Sequence, residues 1–154
     1  MIRPVMASDA ADICKIYNEY VLNTCISFEE SAVTIEDMLA RIANITQLYP
    51  WLVDEADGKV IGYIYASQWK GRSAYRYSVE AGYYIRLDLT GKGIGTRLMA
   101  EFLRALRATS IHSVICGIAL PNPASIALCK RFGFEQVALF REVGFKMNRW
   151  IDVG

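Results

Sequence analysis

Apolar residues recur along the chain with two periods, and the change from one to the other marks out its elements. Ile2 to Met6 is a short apolar run of strand character. Ile13, Ile16, Tyr17, Tyr20 and Val21 then repeat at i, i+3, i+4, i+7 and i+8, which predicts a helix with one buried face and Ser8 as its N-cap. A polar loop from Asn23 to Val33 follows, and Thr34 opens a second helix, with Asp37 three residues on as an approximate capping box and Met38, Leu39, Ile42 and Ile45 as its apolar stripe. Trp51 to Glu55, Asp57-Gly58 and Val60 to Gln68 read as a β-hairpin, because Asp-Gly supplies the positive φ angles of a tight turn. A third strand is expected from Ala74 to Ile85, and a long helix over Gly93 to Ala108 whose Leu98, Phe102, Leu103 and Leu106 share a face. Ser113 to Leu120 is a further apolar strand, ended by Pro121-Asn122-Pro123. A short helix from Ala124 stops at Gly133, and the last strands fall in Phe134 to Val143 and Lys146 to Val153 with Gly144 near the bend. The order β-α-α-β-β-β-α-β-α-β-β predicts an α/β domain spanning residues 1–154, a mixed sheet with helices on its faces in which Gly93 to Ala108 makes a parallel crossover.

Composition narrows the partners. With 17 Lys+Arg against 16 Asp+Glu the formal net charge is +1, so the chain carries no basic footprint for nucleic acid. Its 53% apolar content includes no run near the ~18 residues of a membrane span, and a small-molecule partner in the cytoplasm is expected. Cys14, Cys25, Cys116 and Cys129 form no CxxC pair and, with the single His112, offer no metal-ligand spacing.

The chemistry concentrates where the third strand breaks into TGKGIGT and becomes a helix. Glycines there let backbone approach a ligand, and the first turn of the helix directs unpaired N–H groups at whatever sits in the loop. A phosphate or pyrophosphate suits that site; an ordinary glycine-rich turn is the alternative. A Walker A loop is excluded, since Lys92 lies between glycines and no Gly-Lys-Ser/Thr follows. A dinucleotide fingerprint is excluded too: Thr96 replaces the third glycine and no acid follows at the right distance. The pattern Gln/Arg-x-x-Gly-x-Gly/Ala does match Thr90 to Gly95, except at its first position.

Three further features carry possible chemistry. Phe28, in a polar loop, is either a plug over the core or a wall of a substrate pocket. Lys70 and Arg72 in WKGRSAY, beside Trp69 and Tyr75, are either a solvated hairpin tip or a clamp for an anionic group. Glu80 falls in a strand among Tyr77, Val79, Tyr83 and Ile85, a place for an edge-exposed carboxylate or for a catalytic one.

The glycine loop resembles the pyrophosphate loop of the GCN5-related N-acetyltransferases (GNAT), and the element order is theirs. IYNEYVLNT, SFEE, YPWLV, WKGRSAYRYSVE, GKGIGTRL, LPNPAS, LCKRFGF and EVGFKMNRWIDVG, in that order, are similar to the phosphinothricin and methionine sulfoximine acetyltransferases within that superfamily. The resemblance implies a mostly antiparallel twisted sheet with helices on both faces and a splayed central strand pair, between the strand ending at Ile85 and the strand Ser113 to Leu120. It implies acetyl-CoA as cofactor, with backbone groups of Tyr84, Ile85 and Arg86 on the pantetheine and N–H groups of Gly91, Lys92, Gly93, Ile94, Gly95 and Thr96 on the pyrophosphate. Asn122 matches an Asn that contacts the cofactor arm. Glu80 becomes the general base, and Phe28, Lys70, Arg72 and Tyr75 line a pocket for a small amine acceptor. An ammonium must lose a proton before its nitrogen can attack a thioester, and Glu80 is the best-placed carboxylate. A homodimer is implied as well, in keeping with the aromatics Trp69, Tyr75 and Tyr77. Two positions depart from the pattern: Thr90 stands for Gln or Arg, which predicts weaker CoA binding at most, and Cys129 stands where this branch has His and many relatives have Tyr. Cys129 is then either a proton donor to the departing thiolate or a small buried thiol. An acetyltransferase for other small amines or amino acids, and a CoA-binding relative without catalysis, are the alternatives.

Overall fold

The computed structural model describes residues 1–154. Five strands form one sheet in the order β1 (Ile2–Pro4), β2 (Trp51–Ala56), β3 (Lys59–Gln68), β4 (Ser78–Ile85) and β5 (Ser113–Ile115). All neighbours pair antiparallel except β4 and β5, which run parallel. Helices α1 (Ala10–Asn23) and α2 (Ile35–Ile45) cover one face, where Ile13, Tyr17 and Val21 pack with Met38, Val53 and Tyr63. Helix α3 (Ile94–Arg107) covers the other with Leu98, Met99 and Phe102 against Ile64 and Val79. α4 (Pro123–Arg131) packs Leu128 into that second core. A separate two-stranded sheet, β6 (Phe140–Lys146) and β7 (Arg149–Val153), completes the chain. The mixed, mostly antiparallel sheet with helices on both faces agrees with the expectation.

Several boundaries differ from the sequence pattern. Asp9, not Ser8, closes the start of the first helical segment, its carboxylate accepting the Met6 N–H at 2.7 Å while holding Arg3. The third strand begins at Ser78, because Ser73–Tyr75 closes a 3-10 turn. The bend after β6 falls at Met147-Asn148, both with positive φ, and Gly144 lies inside the strand. The Thr34 cap holds as expected, its hydroxyl accepting the Asp37 N–H at 3.0 Å.

The expected splay of the central pair appears at β5, a strand shorter than its apolar run. Ser113 to Leu120 is apolar throughout, yet pairing with β4 stops at Glu80 and Ile115. Beyond that point the C-terminal strand takes over the backbone groups of the run: Ile118 and Gly154 exchange two hydrogen bonds, at 2.8 and 2.9 Å, and the Leu120 N–H donates to Asp152 O at 2.9 Å. The two parallel strands therefore diverge, and Glu80 sits where they part.

Candidate active site

The loop before α3 is built of backbone. Gly91 and Gly93 adopt φ of 77° and 79°, the left-handed region open to glycine, and a Cβ on either would meet nothing within 4 Å. The N–H groups of Gly91, Lys92, Gly93, Ile94, Gly95 and Thr96 make no backbone hydrogen bond; the first such bond in the helix is from Arg97 to Gly93 O. Six consecutive donors at a helix start are left without backbone partners, the kind of position at which anions bind. Behind it, Arg97 donates to the buried carboxylate of Asp54 at 2.7 Å, tying α3 to the sheet.

Along β4, the Arg86 N–H already bonds Ile61 O at 3.0 Å. Backbone groups alternate sides along an antiparallel strand, so those of Tyr84 and Arg86 turn toward β3 and those of Ile85 turn toward the gap. Of the three residues expected to offer backbone to a pantetheine, Ile85 is the one whose N–H faces the opening. Its carbonyl accepts the Tyr20 hydroxyl at 2.6 Å. Asn122, expected on the cofactor arm, is the N-cap of α4, where its Oδ1 accepts the Ser125 N–H at 3.1 Å. Thr90 donates its hydroxyl to Leu87 O at 3.0 Å and so closes the preceding turn.

On the α1 side of the gap lies a cavity of about 470 Å³. Glu80, Tyr84 and Gly117 line its floor, Phe28 and Glu29 one wall, and Ala119 and Val153 the other. The Glu80 Oε1 stands 3.0 Å from where a Cβ on Gly117 would be, so a side chain there would press on the carboxylate and shift it. Glu80 accepts no hydrogen bond from the protein, and burial raises its pKa while the Lys70 charge opposes the shift. Glu29, in contrast, is held by Arg41 through two bonds of 3.0 and 2.6 Å, and that pairing lowers its pKa. One carboxylate of the cavity is unpaired, and the other is held by a guanidinium.

On the opposite face of the sheet, Tyr83 brings its hydroxyl to 3.5 Å from the buried Cys129 sulfur. The neighbouring Cys116 thiol and, to a lesser degree, the Tyr83 hydroxyl push the Cys129 pKa down to about 6 against the pull of burial, while the Cys116 and Tyr83 values rise. Cys129 is thus a supported, acidic thiol.

The structure brings Phe28 to the cavity with Glu80. Lys70 is exposed and does not line the cavity; its ammonium rests over the Trp69 ring at 5.2 Å, and its charge opposes the rise in the Glu80 pKa. Arg72 and Tyr75 are exposed on the β3–β4 connection, do not line the cavity of this single chain, and Arg72 pairs with no carboxylate. Sequence reasoning missed Tyr17, Ser27, Glu29, Gly117, Ala119 and Val153. The one signal available was the polar tip of Tyr17 on a buried helix face, whose hydroxyl meets Ser27 Oγ at 2.9 Å.

Residues 2–153 match the model of a GNAT acetyltransferase domain. The chain is 34% identical over 153 residues to phosphinothricin N-acetyltransferase of Streptomyces viridochromogenes, covering 99% of this chain and 84% of that one. It is 36% identical over 154 residues to the L-methionine sulfoximine/L-methionine sulfone acetyltransferase of Pseudomonas paraeruginosa, covering 99% and 90%. Its structure superposes with a TM-score of 0.96 on a GNAT superfamily phosphinothricin acetyltransferase from Sinorhizobium meliloti solved in complex with acetyl-CoA, at 38% identity over 99% of this chain and 84% of that one.

Proposed function

The chain belongs to the GNAT N-acetyltransferases, and we propose that it acetylates the amine of a small amino acid analogue such as phosphinothricin, methionine sulfoximine or methionine sulfone, with Glu80 as general base. Acetyl-CoA is the cofactor, and it supplies the acetyl group as an activated thioester. The observation that carries the reading is the cavity that opens at the β4–β5 divergence with an unpaired carboxylate on its floor, beside a loop of six free N–H groups. Burial keeps Glu80 basic enough to take a proton from an ammonium group, and Glu80 has no protein partner competing for it. The freed amine attacks the thioester carbonyl, its nitrogen releases a second proton to solvent as the carbon–sulfur bond breaks, and the departing sulfur takes a proton from the protonated fraction of Cys129. That transfer runs downhill, since Cys129 is more acidic than an ordinary thiol. Cys129 recovers its proton from solvent.

Lys70 and Arg72, which have no carboxylate partners, are assigned to the anionic or strongly polar end of the acceptor, with Tyr75 beside them. A homodimer suits the same reading. Tyr75 and Tyr77 are exposed, and the β6–β7 hairpin adds Phe145 and Trp150, in tilted contact on the surface with ring centroids 4.9 Å apart. A cytoplasmic location suits four unpaired thiols. No helix is long and apolar enough to cross a membrane.

A panel of amines with acetyl-CoA, followed by release of free thiol, tests the proposal. Methionine sulfoximine, methionine sulfone or phosphinothricin should be acetylated faster than a polycationic amine. The reverse order removes the clamp, and no turnover with any amine leaves a CoA-binding protein without this chemistry.

A further inference from the structure

Strand β6 lies against the loop that forms one wall of the cavity, and two of its residues reach that loop from the same strand face. Gly144 lies under Phe28. A Cβ there would stand 2.4 Å from two carbons of the Phe28 ring, closer than packed carbons approach. Gly144 does not have a positive φ, so the backbone would admit any residue, and the ring alone excludes a side chain. Two residues on, Lys146 is 4% exposed, and its ammonium donates to Val21 O at 2.7 Å and Ser27 O at 2.6 Å. It fixes the distance between the end of α1 and the residue before Phe28. Ser27 is itself buried and bonded to Tyr17, another residue of the cavity. Val143 and Phe145, on the other face of the strand, are exposed.

We propose that β6 sets the width of the acceptor cavity, with Gly144 seating the Phe28 ring and Lys146 fixing the loop that carries it, so that both are positioning residues for acceptor selectivity. This rests on the reading of the cavity as the acceptor site. With Gly144 in place the ring sits back on β6. Any side chain at 144 drives it off that seat, toward the cavity or out to solvent, and the wall is lost or moved in either case. Hydrophobic walls discriminate roughly 10-fold or more per methylene-sized change, which sets the scale of the effect.

The test is a double-mutant cycle with methionine sulfone as the acceptor. Gly144→Ala should raise the KM for methionine sulfone about 10-fold or more, leave the KM for acetyl-CoA unchanged, and have no further effect in a Phe28→Ala background. Lys146→Met should raise the same KM and spare acetyl-CoA. An equal Gly144→Ala penalty with and without Phe28, or a parallel rise in the KM for acetyl-CoA, overturns the proposal. If Lys146→Met fails to bind CoA by calorimetry it has not folded, and the Gly144 cycle decides alone. Ala119→Trp, which fills the cavity, separates the two readings. If acceptor turnover survives Ala119→Trp, the cavity is not the acceptor site and both readings fall. If turnover is lost while Gly144→Ala changes nothing, only the role of β6 falls.

Discussion

The two halves of the site are made of different material. The phosphate half is backbone: six N–H groups in a row, shaped by two glycines at positive φ and by the start of α3. The acceptor half is side chain: Glu80 from β4, Phe28 and Glu29 from a loop, Val153 from the last strand, brought together from four separate parts of the chain with Ala119 and Gly117. A backbone site is local in sequence and indifferent to most side chains, so Thr90 in place of Gln or Arg leaves its donors in place. A side-chain site depends on long-range packing, and a change in one member alters the shape of the cavity. The first half suits a cofactor that does not change, and the second an acceptor that can.

Four substitutions break or sharpen that contrast. The largest effect belongs to the base. Glu80→Gln should lower kcat roughly 10²–10⁴-fold with CoA affinity unchanged by calorimetry. Because burial raises the Glu80 pKa in the folded state, the ionised carboxylate works against folding, and that cost appears as the pH rises above the unfolded value. Glu80→Gln should therefore melt above the parent at neutral pH, with the gap closing as the pH falls to where Glu80 is protonated in both states. A lower melting point with full turnover per folded molecule would make Glu80 structural. Next comes the backbone half: Gly93→Val forces a β-branched residue to a φ of 79° and misaligns the donors around it. Losing even one or two charge-assisted bonds, at about 1.5–3 kcal/mol each, should weaken CoA binding on the order of 10²-fold. Unchanged affinity would reduce the loop to a turn. Arg72→Ala should raise the KM for the acceptor by about 10–150-fold and spare that for acetyl-CoA, on the same scale of energies. No change in either constant would return Arg72 to solvent. The smallest effect is at Cys129, where a thiolate leaves without much help. Cys129→Ser should cost roughly 10-fold at most, below the usual range for acid–base catalysis. The Cys129 contribution should fade as the pH rises through about 6, where its proton is lost, and a pH profile of Cys129→Ser should lack that limb.

What could be read from the sequence follows the same division. The glycine loop, the α3 stripe and the Thr34 cap are local, and each appears as written. The mixed sheet and its parallel crossover followed from the alternation of elements, whereas the separation of β6 and β7 into their own sheet did not. The limit of β4–β5 pairing was invisible in the apolar run Ser113 to Leu120, because its cause lies in the hydrogen bonds that Asp152 and Gly154 make with Leu120 and Ile118. Glu80 stood out as a carboxylate among apolar neighbours, and the structure places it at the divergence. Gly117, Ala119 and Val153 carry no chemical signal of their own, since they shape the cavity by being small or by where the fold delivers them. Lys70 and Arg72 were conspicuous as charges, yet one chain alone leaves Arg72 and Tyr75 outside the cavity lining.

Trp51 is 3% exposed, its indole nitrogen has no hydrogen-bond partner, and its ring stacks on Tyr65 at 4.6 Å. Tyr65 in turn lies so close over Gly82 that no side chain fits there, two residues from Glu80 on the same face of β4. The other two tryptophans are more open to solvent, Trp150 at 63%. The protein thus carries a built-in optical gauge. Iodide should quench Trp150 and leave the shielded emission of Trp51, and a change in that emission on adding an acceptor is the expected sign that the stack through Tyr65 and Gly82 reports on the strand that carries Glu80.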